Sequence, residues 1–341
     1  TQLRMMLDEI FGEQNFVGYI AWESKTKSQN TIDSKDKLQP KVEHILLYTK
    51  RDKRRFNQIK GEEIDYPKSD EKGPYREHKL EFMSTLDVRA RATMVFPIQG
   101  IDPPKDKQWK LGQQSISDIE SRGNLFIKNG RVILKKRPAS SLNLPEEDTS
   151  THKLAPFWGL FTTELGTAES AKRELSTVLD SKYHGFDTVK PTPMLKRLIF
   201  HSTSKDDTVL DFFAGSGTTG DATMQLNSED GGSRKCILVQ LPEIIDSKKN
   251  KTAYTYVKDT LNVDEPTIFE ITKQRLVSAG KKIVDENDDS KEPKDLSSID
   301  LGFKVFETVP MWENFDFEAI AFDPQTKLFD ESILSEDHVK I

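Results

Sequence analysis

The sequence predicts an α/β protein in which a parallel sheet is interrupted by a mixed α+β segment. Three observations carry that reading. Thr208-Val209-Leu210-Asp211-Phe212-Phe213, a glycine turn, a helix to Leu226 and Lys235-Cys236-Ile237-Leu238-Val239-Gln240 read as strand, helix and strand. Short links between them make a βαβ unit, and hence a parallel pair. Two further strand-like runs, Asn15 to Trp22 and Val42 to Tyr48, lie far upstream. Between residues 56 and 180 the periodicity is short and irregular, with Gly, Pro and aromatics scattered through it.

In chain order, Leu3, Met6, Leu7, Ile10 and Phe11 recur at helical spacing, and Gly12 ends that helix. No capping residue precedes it and Ser335 to Ile341 run out in polar sequence, so the chain is expected to be a fragment of a longer one. The stretch Glu23 to Lys41 reads as a polar loop, and Lys50 to Arg55 as a local basic cluster. Arg76, Arg89 and Arg91 precede Val95-Phe96-Pro97. Lys105, Lys107 and Lys110 interleave with Trp109. Leu125 to Ile127 and Val132 to Leu134 predict a hairpin turning at Asn129-Gly130, followed by Lys135-Lys136-Arg137. Met194, Leu195, Leu198 and Ile199 mark a helix opened by Lys190-Pro191, since proline is favourable at a helix start. Pro266 to Ile283 predicts a helix, Asp285 to Asp289 an acidic loop, and Leu301 to Phe306 a strand; Trp312 to Phe329 is too mixed to assign.

The composition narrows the chemistry. The 341 residues carry 50 Lys+Arg against 56 Asp+Glu, a net charge of −6. That average argues weakly against a nucleic-acid partner, whereas the basic runs at Lys50 to Arg55 and Lys135 to Arg137 allow one. The single cysteine, Cys236, excludes a disulfide framework and any multi-cysteine metal module, and the 6 histidines show no ligand spacing. No apolar run approaches the roughly 18 residues of a membrane helix, and nothing resembles a signal peptide. A soluble cytoplasmic protein is the simplest expectation, with no metal and no membrane partner.

Chemistry concentrates in Asp211-Phe212-Phe213-Ala214-Gly215-Ser216-Gly217-Thr218-Thr219. Glycines where a strand meets a helix let backbone approach a ligand, and the helix start offers free N–H groups. Gly215, Gly217 and Gly220 also satisfy the dinucleotide fingerprint, so a nicotinamide-dependent oxidoreductase is an alternative. Asp211 at the strand end suits an ammonium-bearing ligand better than a pyrophosphate. Thr218 and Thr219 place hydroxyls where a dinucleotide site wants close packing. Both features favour S-adenosylmethionine.

Phe186-Asp187-Thr188-Val189-Lys190-Pro191, the helix after it, Asp211 to Thr219 and Ile237-Leu238-Val239-Gln240-Leu241-Pro242-Glu243 resemble the modification (methyltransferase) subunits of type III restriction–modification systems. These are DNA amino-methyltransferases whose catalytic motif precedes the cofactor motif. Leu7 to Gly12, Asn15 to Val17, Val42 to Lys50, Gln108 to Lys110 and Thr267 to Ile283 resemble the same family, so the likeness runs along nearly the whole chain in order. It implies a Rossmann-like S-adenosylmethionine-dependent methyltransferase sheet with an inserted α+β target recognition domain. The resulting expected boundaries are 1–55 for the first part of the core, 56–180 for the insert, 181–283 for the cofactor-binding part and 284–341 for an extension.

By that resemblance, Asp211 binds the methionine end of the cofactor. Phe213, Ala214, Gly215, Ser216, Gly217 and Thr218 line it, and Lys190 and Pro191 close one side. An acidic residue after the next strand holds the ribose; Gln240 and Glu243 both compete for that role. The resemblance also implies methylation of adenine in duplex DNA, a homodimer and a restriction subunit with helicase and nuclease activity, with cytosine as the alternative base. Lys105, Lys107, Trp109, Lys110, Lys135, Lys136 and Arg137 are the expected DNA contacts, the cations on phosphates and Trp109 by stacking or packing.

Such enzymes require an Asp-Pro-Pro-aromatic motif that holds the exocyclic amine and stacks on a flipped base. In family order it is expected upstream of Thr1, leaving no catalytic residue in this chain. Asp102-Pro103-Pro104-Lys105 is rejected as that motif, because lysine cannot stack and the match falls inside the insert. The chain alone is therefore expected to bind S-adenosylmethionine weakly or not at all and to leave DNA unmethylated; a DNA-binding specificity module without catalysis of its own is a further alternative.

Overall fold

A computed structural model describes residues 2–27, 36, 38–50, 55–86, 88, 90–140, 144–148 and 150–308. The chain divides into two units, Thr1–Leu301 and Gly302–Ile341, and every element below belongs to the first. The architecture is mixed α/β, with five sheets among the described residues.

The N-terminal helix α1 (Gln2–Phe11) ends at Gly12, whose φ of 86° suits a residue without Cβ. It leads to β1 (Phe16–Glu23), which pairs antiparallel with β2 (Val42–Tyr48). Ile20 and Trp22 alternate inward along β1 into a core with Phe161 and Met194. After β3 (Ile59–Glu63), strands β4 (Lys68–Asp70) and β5 (Gly73–Lys79) form a hairpin. Next come β6 (Phe82–Ser84), β7 (Lys107–Trp109), α2 (Gln113–Ser121), β8 (Leu125–Lys128) and β9 (Arg131–Lys136). The predicted hairpin forms between β8 and β9, with Asn129 and Gly130 at φ of 52° and 67°, as the tight hairpin turn requires. A four-stranded sheet results, in the order β4-β5-β9-β8, and β6 pairs with β7. Leu80, Ile98, Trp109, Ile116, Ile119, Leu125, Val132 and Leu134 close a core of their own within this segment.

The chain then returns. β10 (His152–Ala155) pairs with β3, and β11 (Leu160–Phe161) runs parallel to β1. Helix α3 (Ala168–Val178) is opened by a Thr167–Ser170 capping box, and α4 (Thr192–Ser202) starts at Pro191. The βαβ unit is present as β12 (Thr208–Asp211), α5 (Thr218–Asp230) and β13 (Lys235–Leu238), with β12 and β13 parallel. Helix α6 (Lys251–Thr255) runs into a π-turn at Tyr256–Thr260, and α7 (Ile268–Asp288) closes the unit.

Two expectations are corrected. The acidic run is helix rather than loop through Asp288: Lys282 pairs with Glu286 one turn on, and the Asn287 side chain exchanges two hydrogen bonds with the Lys294 backbone. Leu301 to Phe306 form no strand, since no ladder partner lies beside them among the described residues. Arg51 to Arg54, Arg89 and Trp312 to Phe329 fall outside those residues.

Candidate functional site

The site grows from the end of β12. The Val239 N–H donates to Asp211 O at 2.8 Å and the Ala214 N–H to Val239 O at 3.1 Å, so the turn leaves the sheet from a fixed point. Gly215 and Gly217 have φ of 53° and 76°, the left-handed region that disfavours any Cβ, and Gly217 is the N-cap of α5. Gly220 answers a different need. A Cβ there would lie 2.6 Å from Leu276 Cδ2 and 2.8 Å from Leu238 Cδ1, so its bareness lets α5 sit against both β13 and α7.

Asp211 holds the turn from one side: its carboxylate accepts from Thr219 Oγ1 at 2.5 Å and from the Phe213 N–H at 3.1 Å. Gln240 holds it from the other, its Oε1 accepting the Gly215 N–H at 2.8 Å while its Nε2 donates to Leu241 O at 3.1 Å. Ala214, Ser216 and Thr218 are buried beneath, whereas Phe213 is 82% exposed and stacks at a tilt on Phe212. Glu243 is exposed; its carbonyl accepts the Ile268 N–H, which seats the start of α7.

Lys190 and Pro191 come from the segment before α4. Lys190 Nζ donates to Glu43 Oε2 at 2.8 Å and sits 4.9 Å from the Trp22 ring centre. Burial pushes the Glu43 carboxyl up, but the Lys190 hydrogen bond and charge outweigh it and hold it below its ordinary 4.5. Pro191 is buried against Gly166, where a Cβ would meet the proline ring at 2.5 Å.

Sequence reasoning missed the residue that joins these pieces. Arg275 on α7 is fully buried and reaches four partners. Its Nε donates to Asp221 Oδ2 at 3.0 Å, Nη1 to Ser216 Oγ at 3.2 Å and Thr218 Oγ1 at 2.8 Å, and Nη2 to Thr192 Oγ1 at 2.9 Å. One turn earlier, Thr272 Oγ1 donates to Gly215 O at 2.5 Å. The signal in the sequence was weak: an arginine on the apolar stripe of a helix, 54 residues from its acidic partner.

The expected DNA contacts separate into two groups. Lys105 and Lys107 are exposed near β7, and Lys110, also exposed, reaches Glu81. Trp109, left open between stacking and packing, packs: it is 1% exposed and its Nε1–H donates to Phe96 O at 2.7 Å. Lys135 and Arg137 pair with Asp70 within the sheet, and Lys136 reaches the backbone carbonyls of Pro145 and Glu147 beside it. Asp102 to Pro104 lead into a turn at Lys105 and Asp106 that enters β7, closed by the Lys107 N–H donating to Pro104 O. No helix among the described residues is long and apolar enough to cross a membrane. No group of three or more potential metal ligands occurs among them either.

A family profile described as DNA methylase, covering the N6 and N4 methyltransferases, matches residues 1–245. The chain is 32% identical over 236 residues to the type III restriction-modification enzyme EcoPI Mod subunit of Escherichia phage P1, covering 68% of this chain and 32% of that protein. It is 27% identical over 315 residues to the StyLTI Mod subunit of Salmonella typhimurium, covering 90% and 43%. It is 30% identical over 262 residues to the type II methyltransferase M.KpnI of Klebsiella pneumoniae, covering 70% and 59%. The matched region thus spans a third to six-tenths of these relatives.

Proposed function

Because the chain belongs to the DNA methylase family, we propose that it carries the cofactor-binding core and target-recognising segment of a type III modification methyltransferase. The reaction is transfer of a methyl group from S-adenosylmethionine to the exocyclic amine of adenine in duplex DNA. The observation that carries this reading is the Asp211–Thr218 turn, anchored by Gln240 and Arg275, inside the region the family profile matches.

The residues present fit the cofactor. A left-handed turn at Gly215 and Gly217 lets backbone approach a ligand, and the start of α5 supplies N–H donors. Asp211 offers a carboxylate to the ammonium, and Lys190 a cation to the carboxylate of the methionine end. The exposed ring of Phe213 is available to cover adenosine. With both Gln240 amide atoms engaged, the ribose hydroxyls fall to the open carboxylate of Glu243. The bound cofactor supplies an electrophilic methyl on a sulfonium; the chain's part is to bind it, orient it and exclude water. The acceptor amine and flipped base need an Asp-Pro-Pro-aromatic group, which the Asp102 to Lys105 segment does not provide.

Residues 56–180 act as the target recognition domain in this reading, supported by the separate core around Trp109 and by exposed Lys105, Lys107 and Lys110. The relatives named Mod subunits belong to restriction-modification enzymes, so duplex DNA and a restriction subunit are the partners implied, with a second copy implied by the family resemblance. Ultraviolet cross-linking of tritiated S-adenosylmethionine, which registers weak occupancy, tests the site. Label suppressed by S-adenosylhomocysteine and indifferent to NAD is expected. Suppression by NAD, or no label at all, overturns the assignment. Transfer of labelled methyl to DNA by this polypeptide alone would overturn the placement of the acceptor chemistry outside it.

A further inference from the structure

We propose that Arg275 is a positioning residue that couples the two cofactor-contacting segments, the turn after β12 and the Lys190-Pro191 entrance to α4. The inference rests on the cofactor reading above and extends it to a residue outside the turn. A buried guanidinium must have its charge matched and its donors used, or it strongly destabilises its surroundings. Asp221 supplies the charge, at 1% exposure, from the first turn of α5. Were Arg275 only balancing that carboxylate, its remaining donors could go to any nearby carbonyl. They go instead to three hydroxyls. Ser216 and Thr218 belong to the turn, and Thr192 stands two residues after Lys190.

The guanidinium is planar and rigid, so these hydroxyls are held at fixed relative positions. Thr272, on the same face of α7, fixes Gly215 through its carbonyl. A Cβ on Gly217 would come within 3.2 Å of Thr272 Cγ2 and 3.3 Å of its carbonyl oxygen, so the turn rests directly on α7. Helix α7 is therefore a clamp: the spacing between Asp211 at one end of the site and Lys190 at the other is set through Arg275.

The test uses Thr192, which lies outside the turn and whose hydroxyl takes one Arg275 N–H. Thr192→Val leaves one Arg275 N–H buried without a partner, whereas Thr192→Ser keeps the hydroxyl. Hydrogen exchange of the peptide spanning residues 211–221 should quicken about tenfold in Thr192→Val and stay near wild type in Thr192→Ser, with exchange in β8 and β9 unchanged. Cross-linking of S-adenosylmethionine should fall in step. An unaltered turn, or a uniform quickening across the chain, overturns the coupling. Arg275→Lys, which keeps the charge but loses the fork, should loosen the turn as Thr192→Val does; a turn as protected as wild type would overturn it equally. If the wild-type chain takes no cofactor label, the cofactor reading fails, while the exchange data still decide whether Arg275 couples the segments.

Discussion

Arg137 grips the carboxylate of Asp70 with Nη2 at 2.9 and 2.8 Å from its two oxygens, and Lys135 Nζ closes on the same carboxylate at 2.7 Å. The cations hold the Asp70 carboxyl well below its ordinary range. Lys136 turns to the carbonyls of Pro145 and Glu147, and burial lowers its ammonium. A run that reads as a basic patch is thus engaged by partners of the same chain, in the sheet and in the segment beside it.

That geometry splits the candidate DNA contacts by experiment. Arg137→Ala should lower the melting temperature by several degrees, because it removes partners of Asp70, Asn124 and Gly73 together. Lys105→Glu and Lys107→Glu should leave melting unchanged. Each should reduce the slope of log affinity for duplex DNA against log salt by about one. A slope that responds to Arg137 and ignores both lysines would place the phosphate contacts elsewhere.

His201 contributes to the chain's sensitivity to mild acid. It is 2% exposed, stacks on Phe157 at 4.2 Å and 10°, and its Nδ1–H donates to Asn57 O at 2.5 Å. Burial pushes its pKa below the ordinary 6.5, so the unfolded chain takes up protons first. Stability from the neutral ring is full above 6.5 and is lost as pH falls toward the depressed folded value. The slope from one such group is at most about 1.4 kcal/mol per pH unit. His201→Phe should flatten the fall in melting temperature between neutral and mildly acid buffer. His78 and His184, also lowered by burial, should leave a residual slope. An identical pH profile in the variant would exclude His201.

What the sequence revealed followed from local rules. The strand–turn–helix–strand of residues 208–240 was legible because glycine spacing and apolar runs are encoded locally, and so was the Asn129-Gly130 hairpin. Partnership across long separations was not. Lys135 to Arg137 read as free charge because nothing in composition says that Asp70, 67 residues before Arg137, stands opposite. Trp109 among lysines left stacking and packing both open because its burial depends on α2 and the β8–β9 hairpin folding over it. Arg275 was invisible for the same reason, since its hydroxyl partners come from two separate places in the chain, the turn at Ser216 and Thr218 and the start of α4 at Thr192.

Gly185 is a stability test independent of function. Its φ is 72°, and a Cβ would lie 2.4 Å from Ala253 Cβ and 2.6 Å from Ala253 N. The obstacle is the backbone of α6, which cannot swing aside as a side chain would. Asn250 caps that helix and also donates to Gly185 O at 2.9 Å, fixing the approach. Gly185→Ala should cost about 2–4 kcal/mol, from overpacking and a disfavoured φ together. A loss of unfolding free energy below about 0.5 kcal/mol would show that α6 gives way.

Gln240 and Glu243 can be separated by asking which variant disturbs the turn. Gln240 Oε1 accepts from Gly215 N–H, so Gln240→Ala strips a partner from an amide in the turn and should weaken both folding and cofactor labelling. Glu243 offers an exposed carboxylate, and its structural contact is through its backbone carbonyl, which Glu243→Gln preserves. That variant should melt with the wild type while cofactor labelling drops several-fold, because a neutral amide is a weaker acceptor for ribose hydroxyls than a carboxylate. Full labelling in Glu243→Gln alongside lost labelling in a stably folded Gln240→Ala would move the ribose to Gln240. The turn would then have to release that amide when the cofactor binds.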